Sequence, residues 1–285
     1  MIVGIVGGSG LYQLGNQTGE DLKIDTPFGE PSGPYFRTKL GSHTAIFLPR
    51  HGKGHVYSPS EINYRANIYG FKKLGVEALI SISAVGSLRK EIAPGEFVLP
   101  DQYIDLTRGY RANTFFGGGV VGHAPFADPA CHSLREHLSA ACETLKIRCH
   151  SGGTYVCMEG PTFSTRAESH FYRSWQLPQG MVSVIGMTAL PEARLAREAG
   201  MCYQTVAMAT DYDCWNEENA DVSVEAIIKL LMANVDTSRL LVSEVLSKTF
   251  PSCRSHCREL MKSAVVTSKE LWPASKREML GVILN

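Results

Sequence analysis

The chain has 285 residues, 44% of them hydrophobic, enough to build one large core without a second domain. Its 28 basic and 28 acidic side chains leave no formal net charge, which excludes a broad electrostatic grip on a nucleic-acid backbone or an anionic membrane; any bound anion must be held locally. No apolar run nears membrane-spanning length, and the stretch from Met1 to Val6 lacks a basic leader, so a cytoplasmic location with no membrane partner is expected.

Taken in order, Ile2 to Val6 reads as a first strand ending in Gly7-Gly8-Ser9-Gly10-Leu11. Glycines there permit positive φ and leave backbone N–H groups and the Ser9 hydroxyl free to face an anion; tight packing is the alternative use of such a turn. The turn matches neither G-x-x-x-x-G-K-[ST] nor G-x-G-x-x-G, so triphosphatase and dinucleotide readings lose their support. A second apolar run, Thr44 to Pro49, delivers Arg50-His51-Gly52 to its C-terminal end, where ligands bind in α/β sheets. Arg50 is either a surface charge or a fork onto a phosphate, with His51 adding a donor. His51 and His55 have the spacing of metal ligands on a helix, but Gly52 and Gly54 argue for a loop, and no metal is expected there.

Ser58-Pro59-Ser60-Glu61 reads as a capping box opening a helix that stops at Gly75. Val76 to Ser83 then predicts a strand ending in Ala84-Val85-Gly86-Ser87, and a further strand is expected around Phe97-Val98-Leu99. Residues 108 to 127 form a long aperiodic segment of the kind that makes lids or interface arms. Asp128-Pro129 is read as the cap of a helix reaching Leu145, Thr154 to Met158 as a strand, and Thr165-Arg166-Ala167-Glu168 as another capping box. Met181 to Ile185 is a short strand leading into Gly186-Met187-Thr188; a helix over Pro191 to Ala199 ends at Gly200, and Cys202 to Ala209 is the next strand. A long amphipathic helix spans Ser223 to Val245. The rhythm predicts an α/β fold, one domain over residues 1–285, with a mostly parallel, mixed central sheet flanked by helices.

At the end of the Cys202 strand, Asp211 and Asp213 stand at i and i+2, on one face if the backbone stays extended. Two acids there can share a proton or grip a polar heterocycle; alternatively they cap a solvated turn. The eight cysteines are dispersed without a C-x-x-C pair, which fits neither a zinc site nor a small disulfide framework. Mostly reduced, packed thiols are expected; the alternative is that Cys253 and Cys257, four apart in a predicted helix, pair with partners elsewhere in the chain.

The chain resembles the trimeric purine nucleoside phosphorylase and methylthioadenosine phosphorylase family nearly end to end. The matching stretches are Gly7-Gly8-Ser9-Gly10-Leu11, Pro49-Arg50-His51-Gly52, Ile62 to Ile68, Ser83 to Leu88, Met158-Glu159-Gly160-Pro161 with Phe163-Ser164, Met187-Thr188, and Ala207 to Trp215. The resemblance implies that Ser9, Arg50, His51, Ser83 and Thr188, with Ala84 beside them, hold phosphate, and that Ala84, Phe163, Met187, Asp211 and Asp213 line a nucleoside site. It also implies a homotrimer or dimer of trimers, in which His123 and its loop reach the 5′ pocket of a neighbouring subunit. Val85 stands where some members carry Cys, and Gly186 where some carry Asn.

Phosphorolysis of an N-glycosidic bond passes through an oxocarbenium-like sugar, so the leaving purine needs a proton at N7 and an anion must sit under the anomeric carbon. A carboxylic acid in a dry pocket supplies that proton, an effect worth ~10²–10⁴-fold, and the role falls to Asp211. Asp213 would accept from an exocyclic amine or keep Asp211 protonated through like-charge coupling. Phosphate is itself the co-substrate, and no metal or organic cofactor is expected. Two carboxylates favour a 6-amino purine, whereas 6-oxopurine relatives resemble one another in using Glu and Asn. Val224, Ile227 and Ile228 would wall the 5′ position with apolar surface, suiting a methylthio group, and Ser164 joins them as a specificity residue. The expected reaction is cleavage of 5′-methylthioadenosine to adenine and 5-methylthioribose 1-phosphate. A broader purine nucleoside or methylthioinosine phosphorylase, a hydrolytic nucleosidase and a non-catalytic nucleotide-binding protein are the alternatives.

Overall fold

A computed structural model describes residues 1–8, 18–178, 180–216 and 224–285, with side chains from position 234 in the last stretch. Its elements are β1 (Ile2–Gly7), β2 (Gly19–Leu22), β3 (Tyr35–Leu40), β4 (His43–Pro49), α1 (Tyr64–Lys73), β5 (Ala78–Ser87), β6 (Phe97–Leu99) and β7 (Gln102–Leu106). There follow α2 (His132–Thr144), β8 (Cys149–Ser151), β9 (Thr154–Met158), α3 (Arg166–Arg173), β10 (Gln176–Leu177), β11 (Gly180–Gly186), α4 (Ala189–Glu198), β12 (Cys202–Asp211), α5 (Val224–Ser247) and α6 (Ala274–Leu284).

The strands form one mixed sheet whose backbone order is β2-β3-β4-β1-β5-β11-β9-β7, with β12 branching from β5, β6 pairing with β12, and β8 with β6. Parallel ladders join β4 to β1, β1 to β5 and β5 to β12, while β11 meets the end of β5 antiparallel. Alternation along each strand sends side chains to two faces. Val3, Ile5, Ile80, Val206 and Met208 pack beneath α2 and α5, whereas Val6, Leu79, Tyr203, Ala207 and Ala209 pack beneath α1, α4 and α6. The result is a helix–sheet–helix sandwich, as the β-turn-α rhythm predicts.

Local chemistry sets most boundaries. Thr165 and Glu168 form the expected reciprocal capping box at α3, and Gly75 and Gly200 adopt left-handed φ just past α1 and α4. Two starts differ. The Ser58–Glu61 stretch closes only a turn, and α1 begins at Tyr64, where Asn63 caps the Ala66 N–H while its amide ties back to Phe28 and Glu30 carbonyls. Helix α2 begins at His132 with Cys131 at its N-cap, past the Asp128-Pro129 pair. The 108–127 segment has neither helix nor strand, but it is no loose lid: Arg111, Phe115, Phe116 and Val120 are buried.

Candidate active site

β5 is the strand around which the candidate residues gather. Its first half runs between β1 and β12; at its C-terminal end the partner changes, and Gly86 and Ser87 pair with Ile185 and Val184 of β11. The same edge receives Gly7 beside Pro49, Ser83 beside Ala207, and Asp211 beside Gly86. A single register therefore brings Gly7-Gly8, Arg50, the Ser83–Ser87 stretch, Met187-Thr188 and the acidic pair to one end of the sheet. Ser9 lies outside the described residues, as do the side chains of Val224, Ile227 and Ile228.

Arg50 is 1% exposed, and its fork is closed on Glu192: Nε donates to Oε2 at 2.8 Å and NH2 to Oε1 at 3.1 Å. NH2 also reaches Ser81 Oγ (2.7 Å), and NH1 donates to the Ile82 carbonyl (2.9 Å). Burial works against the guanidinium charge, but the Glu192 carboxylate outweighs it and holds the pKa above its usual value. The fork is therefore closed on protein acceptors, and the second NH1 hydrogen is what the bonds to Glu192, Ser81 and Ile82 leave over. Sequence reasoning passed over Glu192, an acid inside the apolar pattern of α4. Its Oε1 also accepts from Ser81 (2.5 Å) and from Tyr203 (3.1 Å), the end of a buried hydroxyl chain from Tyr103 through Thr205.

His51 stacks on His55 at 4.1 Å, on the glycine-containing loop expected there. Its Nδ1 lies 2.9 Å from the Tyr57 carbonyl, which can only accept, so Nδ1 carries a hydrogen. Burial and the neighbouring Arg50 push its pKa down to about 4. Neutral His51 thus presents a lone pair at Nε2 and becomes a second donor only on taking up a proton. Nearby, the Ser83 Oγ and Tyr155 hydroxyl are sealed from solvent and close to each other, yet neither completes a well-formed hydrogen bond among the described residues. Burial raises the Tyr155 pKa, so it remains an O–H donor. The same hydroxyl would lie 2.1 Å from a Cβ at Gly186, which explains the glycine where some relatives carry Asn. Thr188 is buried at the start of α4, and Ala84 is half-buried.

Arg111, another residue the sequence reading missed, is a buried clamp from the aperiodic segment. It donates to the Met187 carbonyl (2.5 Å), the Leu190 carbonyl (2.9 Å) and the Glu159 side chain (3.0 Å), fixing the backbone that presents Met187 and Thr188. The Met187 thioether lies against Gly160, at left-handed φ, where a Cβ would come within 2.5 Å of the sulfur. Phe163 is 60% exposed at the rim, and the carbonyl of half-buried Ser164 accepts from Cys214 (3.2 Å). His123 is exposed, its backbone N–H bound to the Ala264 carbonyl (2.8 Å).

The acidic pair converges by a turn and not by the strand pleat. β12 ends at Asp211 after a register shift at Thr210, and Asp213 has φ +52°. Asp211 Oδ1 accepts the Asp213 N–H at 2.7 Å, and Oδ2 is bonded to Thr210 Oγ1 at 2.7 Å. Asp211 is thus a turn cap and a candidate acid at once: each oxygen still has a second lone-pair site. A Cβ on Gly86 would be 3.1 Å from Asp211 Oδ1 and 3.2 Å from Asp213 Cβ, so the missing side chain lets both acids close over β5. Burial raises both pKa values, against the hydrogen bonds Asp211 accepts and, for Asp213, against the nearby Ser169 and Ser164 hydroxyls. Asp213 Oδ2 is sealed from solvent without a hydrogen-bond partner among the described residues. Trp215 anchors the turn, donating to the Ser87 carbonyl (2.8 Å) beneath the Arg173 guanidinium.

The arrangement is thus a strand end with two buried hydroxyls, a buried ion pair and two carboxyls whose pKa values burial raises. A sequence model of the Phosphorylase superfamily matches residues 2–247. A relative from Geobacter sulfurreducens, an S-methyl-5′-thioadenosine phosphorylase, is 50% identical, covering 100% of this chain and 98% of its own. The crystal structure of a methylthioadenosine phosphorylase from an antarctic soil metagenomic library is 43% identical, with a TM-score of 0.91 over 99% of this chain and 98% of that one. A mutant adenosine/methylthioadenosine phosphorylase from Schistosoma mansoni, solved in complex with methylthioadenosine, is 34% identical, with a TM-score of 0.78 over 86% of this chain and 90% of that one. Matched over nearly its whole length by these proteins, the chain belongs to the Phosphorylase superfamily and, within it, to the methylthioadenosine phosphorylases.

Proposed function

We propose that the protein cleaves 5′-methylthioadenosine with inorganic phosphate to give adenine and 5-methylthioribose 1-phosphate. The observation that carries the reading is the buried carboxyl pair, its pKa values raised by burial, at the sheet end that also holds Arg50 and the buried Ser83 hydroxyl. Ser9, Arg50, His51, Ser83, Ala84 and Thr188 would hold phosphate beneath the sugar. Asp211 donates a proton toward purine N7 as the glycosidic bond lengthens, and the phosphate oxygen attacks the anomeric carbon of the cationic sugar. Asp213 receives the exocyclic amine, and Phe163 and Met187 flank the nucleoside. The 5′ group lies toward Ser164, Val224 and Ile227, with His123 reaching across from a neighbouring subunit of a homotrimer. On this reading phosphate is the co-substrate and the reaction draws on no organic cofactor or metal.

One observation favours a second reading. A buried Asp213 that keeps its proton donates a hydrogen bond and so accommodates a 6-carbonyl, which points to methylthioinosine or inosine as substrates. The test is phosphate-dependent turnover of methylthioadenosine, adenosine, methylthioinosine and inosine. The first reading expects methylthioadenosine to be the best; faster turnover of a 6-oxo nucleoside overturns it for the second. Base release undiminished in phosphate-free buffer would make the enzyme a nucleosidase. Asp211→Ala is expected to lower base release by ~10²–10⁴-fold; an unchanged rate removes the acid role.

A further inference from the structure

Four cysteines that the sequence scatters meet in one place. Cys131 stands at the N-cap of α2, Cys202 opens β12, and Cys253 and Cys257 lie in the turns that follow α5. Their Sγ atoms all lie within 4.8 Å of one another, and Cys131 Sγ is 3.8 Å from Cys253 Sγ. Three of the thiols are buried and Cys253 is half-buried. A tetrahedral zinc tetrathiolate has Zn–S bonds of about 2.3 Å, so its sulfur–sulfur edges are about 3.8 Å. Sulfurs within 4.8 Å of one another need move by only about 1 Å or less to span such edges. We propose that Cys131, Cys202, Cys253 and Cys257 bind one Zn²⁺ as a structural tetrathiolate centre.

The surroundings suit thiolates. Cys131 lies at the N-terminus of a 13-residue helix, whose dipole favours negative charge, and the Cys257 N–H donates to Cys253 Sγ at 3.5 Å. Binding displaces one proton from each thiol, four per metal. The remaining cysteines stay apart: Cys157 accepts the Leu190 N–H, Cys214 donates to Ser164, and Cys142 and Cys149 pair with each other on the far end of α2.

The centre would fasten the chain that follows α5. That segment already touches the start of α2 through His132 N–H to Ser255 Oγ (3.1 Å) and Arg254 N–H to Ser133 Oγ (3.0 Å). It then runs to Ala264 and Val266, whose backbone bonds to His123 and Val121 brace the aperiodic segment. A metal at the four sulfurs therefore holds the support on which the His123 loop rests.

The test uses the full chain purified under reducing conditions without chelator. Elemental analysis is expected to find about one zinc per chain. After removal by a strong chelator, Co²⁺ should restore one equivalent of thiolate-to-cobalt charge-transfer absorption, and the metal-free protein should melt at lower temperature and be cleaved faster by protease within residues 251–264. Cys253→Ser and Cys202→Ser should lose the metal, whereas Cys149→Ser keeps it; if a variant fails to fold, the cobalt titration of the unaltered chain decides alone. A metal-free protein with no cobalt spectrum overturns the proposal, whether denaturation then frees all eight thiols or only four because the cluster has paired into disulfides.

Discussion

Glu192→Gln is nearly isosteric and leaves Arg50 with a buried, unmatched charge. Both side chains are about 2% exposed, so water cannot replace the lost carboxylate. The amide oxygen can still accept from Ser81, Tyr203 and Arg50 NH2, but the amide nitrogen then faces the Arg50 Nε–H, donor against donor. Breaking a buried pair in this way costs roughly 3–5 kcal/mol, a fall in Tm of roughly 5–8 °C for a chain of this size. Phosphate at the same sheet end would supply the missing counter-charge. The variant should therefore gain more stability from phosphate than the unaltered protein does, beyond the ~2.7 kcal/mol that any ligand gives at a hundred times its Kd. Thermal melts across a phosphate titration, with denaturant unfolding for the free energies, measure both terms. A loss below ~1 kcal/mol, or equal phosphate-induced shifts in the two proteins, would refute the idea that Glu192 neutralises Arg50 until phosphate arrives.

Asp213, with its raised pKa, binds its proton more tightly folded than unfolded, so it costs stability as pH rises through the folded value. Asp213→Asn should thus be increasingly stabilising, relative to the unaltered chain, from acid to neutral pH; a pH-independent difference in unfolding free energy would count against the buried-acid description. His51, at about 4 in the folded state, loses stability as pH falls from its ordinary value near 6.5 toward 4, because only the unfolded chain takes up the proton. Phosphate binding that recruits Nε2 as a donor must take up that proton, so the KM for phosphate should fall on going from pH 8 to pH 6 and His51→Gln should flatten the profile. At Gly186, Ala would meet the Tyr155 hydroxyl at 2.1 Å and cost ~1–3 kcal/mol; Tyr155→Leu in the same chain should recover most of it, and purely additive effects would deny the contact.

The parts of this protein that depend on local chemistry were legible before any tertiary contact was known. Apolar runs ending in small-residue turns marked β1, β4, β5 and β12, and Thr165-Glu168, Gly75 and Gly200 marked helix ends, because caps and left-handed residues act within a few positions along the chain. The motifs around Arg50, Ser83, Met187 and Asp211 were legible for the same reason: each is a short stretch at a strand end. Pairs far apart in sequence were not legible in that way. Glu192 closing the fork of Arg50, Arg111 clamping Met187, Tyr155 filling the space above Gly186, and Gly86 admitting both acids all follow from sheet register, which no local pattern encodes. The acidic pair shows the limit most plainly. An i, i+2 spacing predicted one face of a strand, but a bulge at Thr210 and a left-handed Asp213 bring the carboxyls together through a turn, since the chain must leave the sheet where β5 changes partners. The cysteine cluster is the extreme case: no C-x-x-C motif announces it, because its members come from the start of a helix, the start of a strand and a distant turn that only folding makes neighbours.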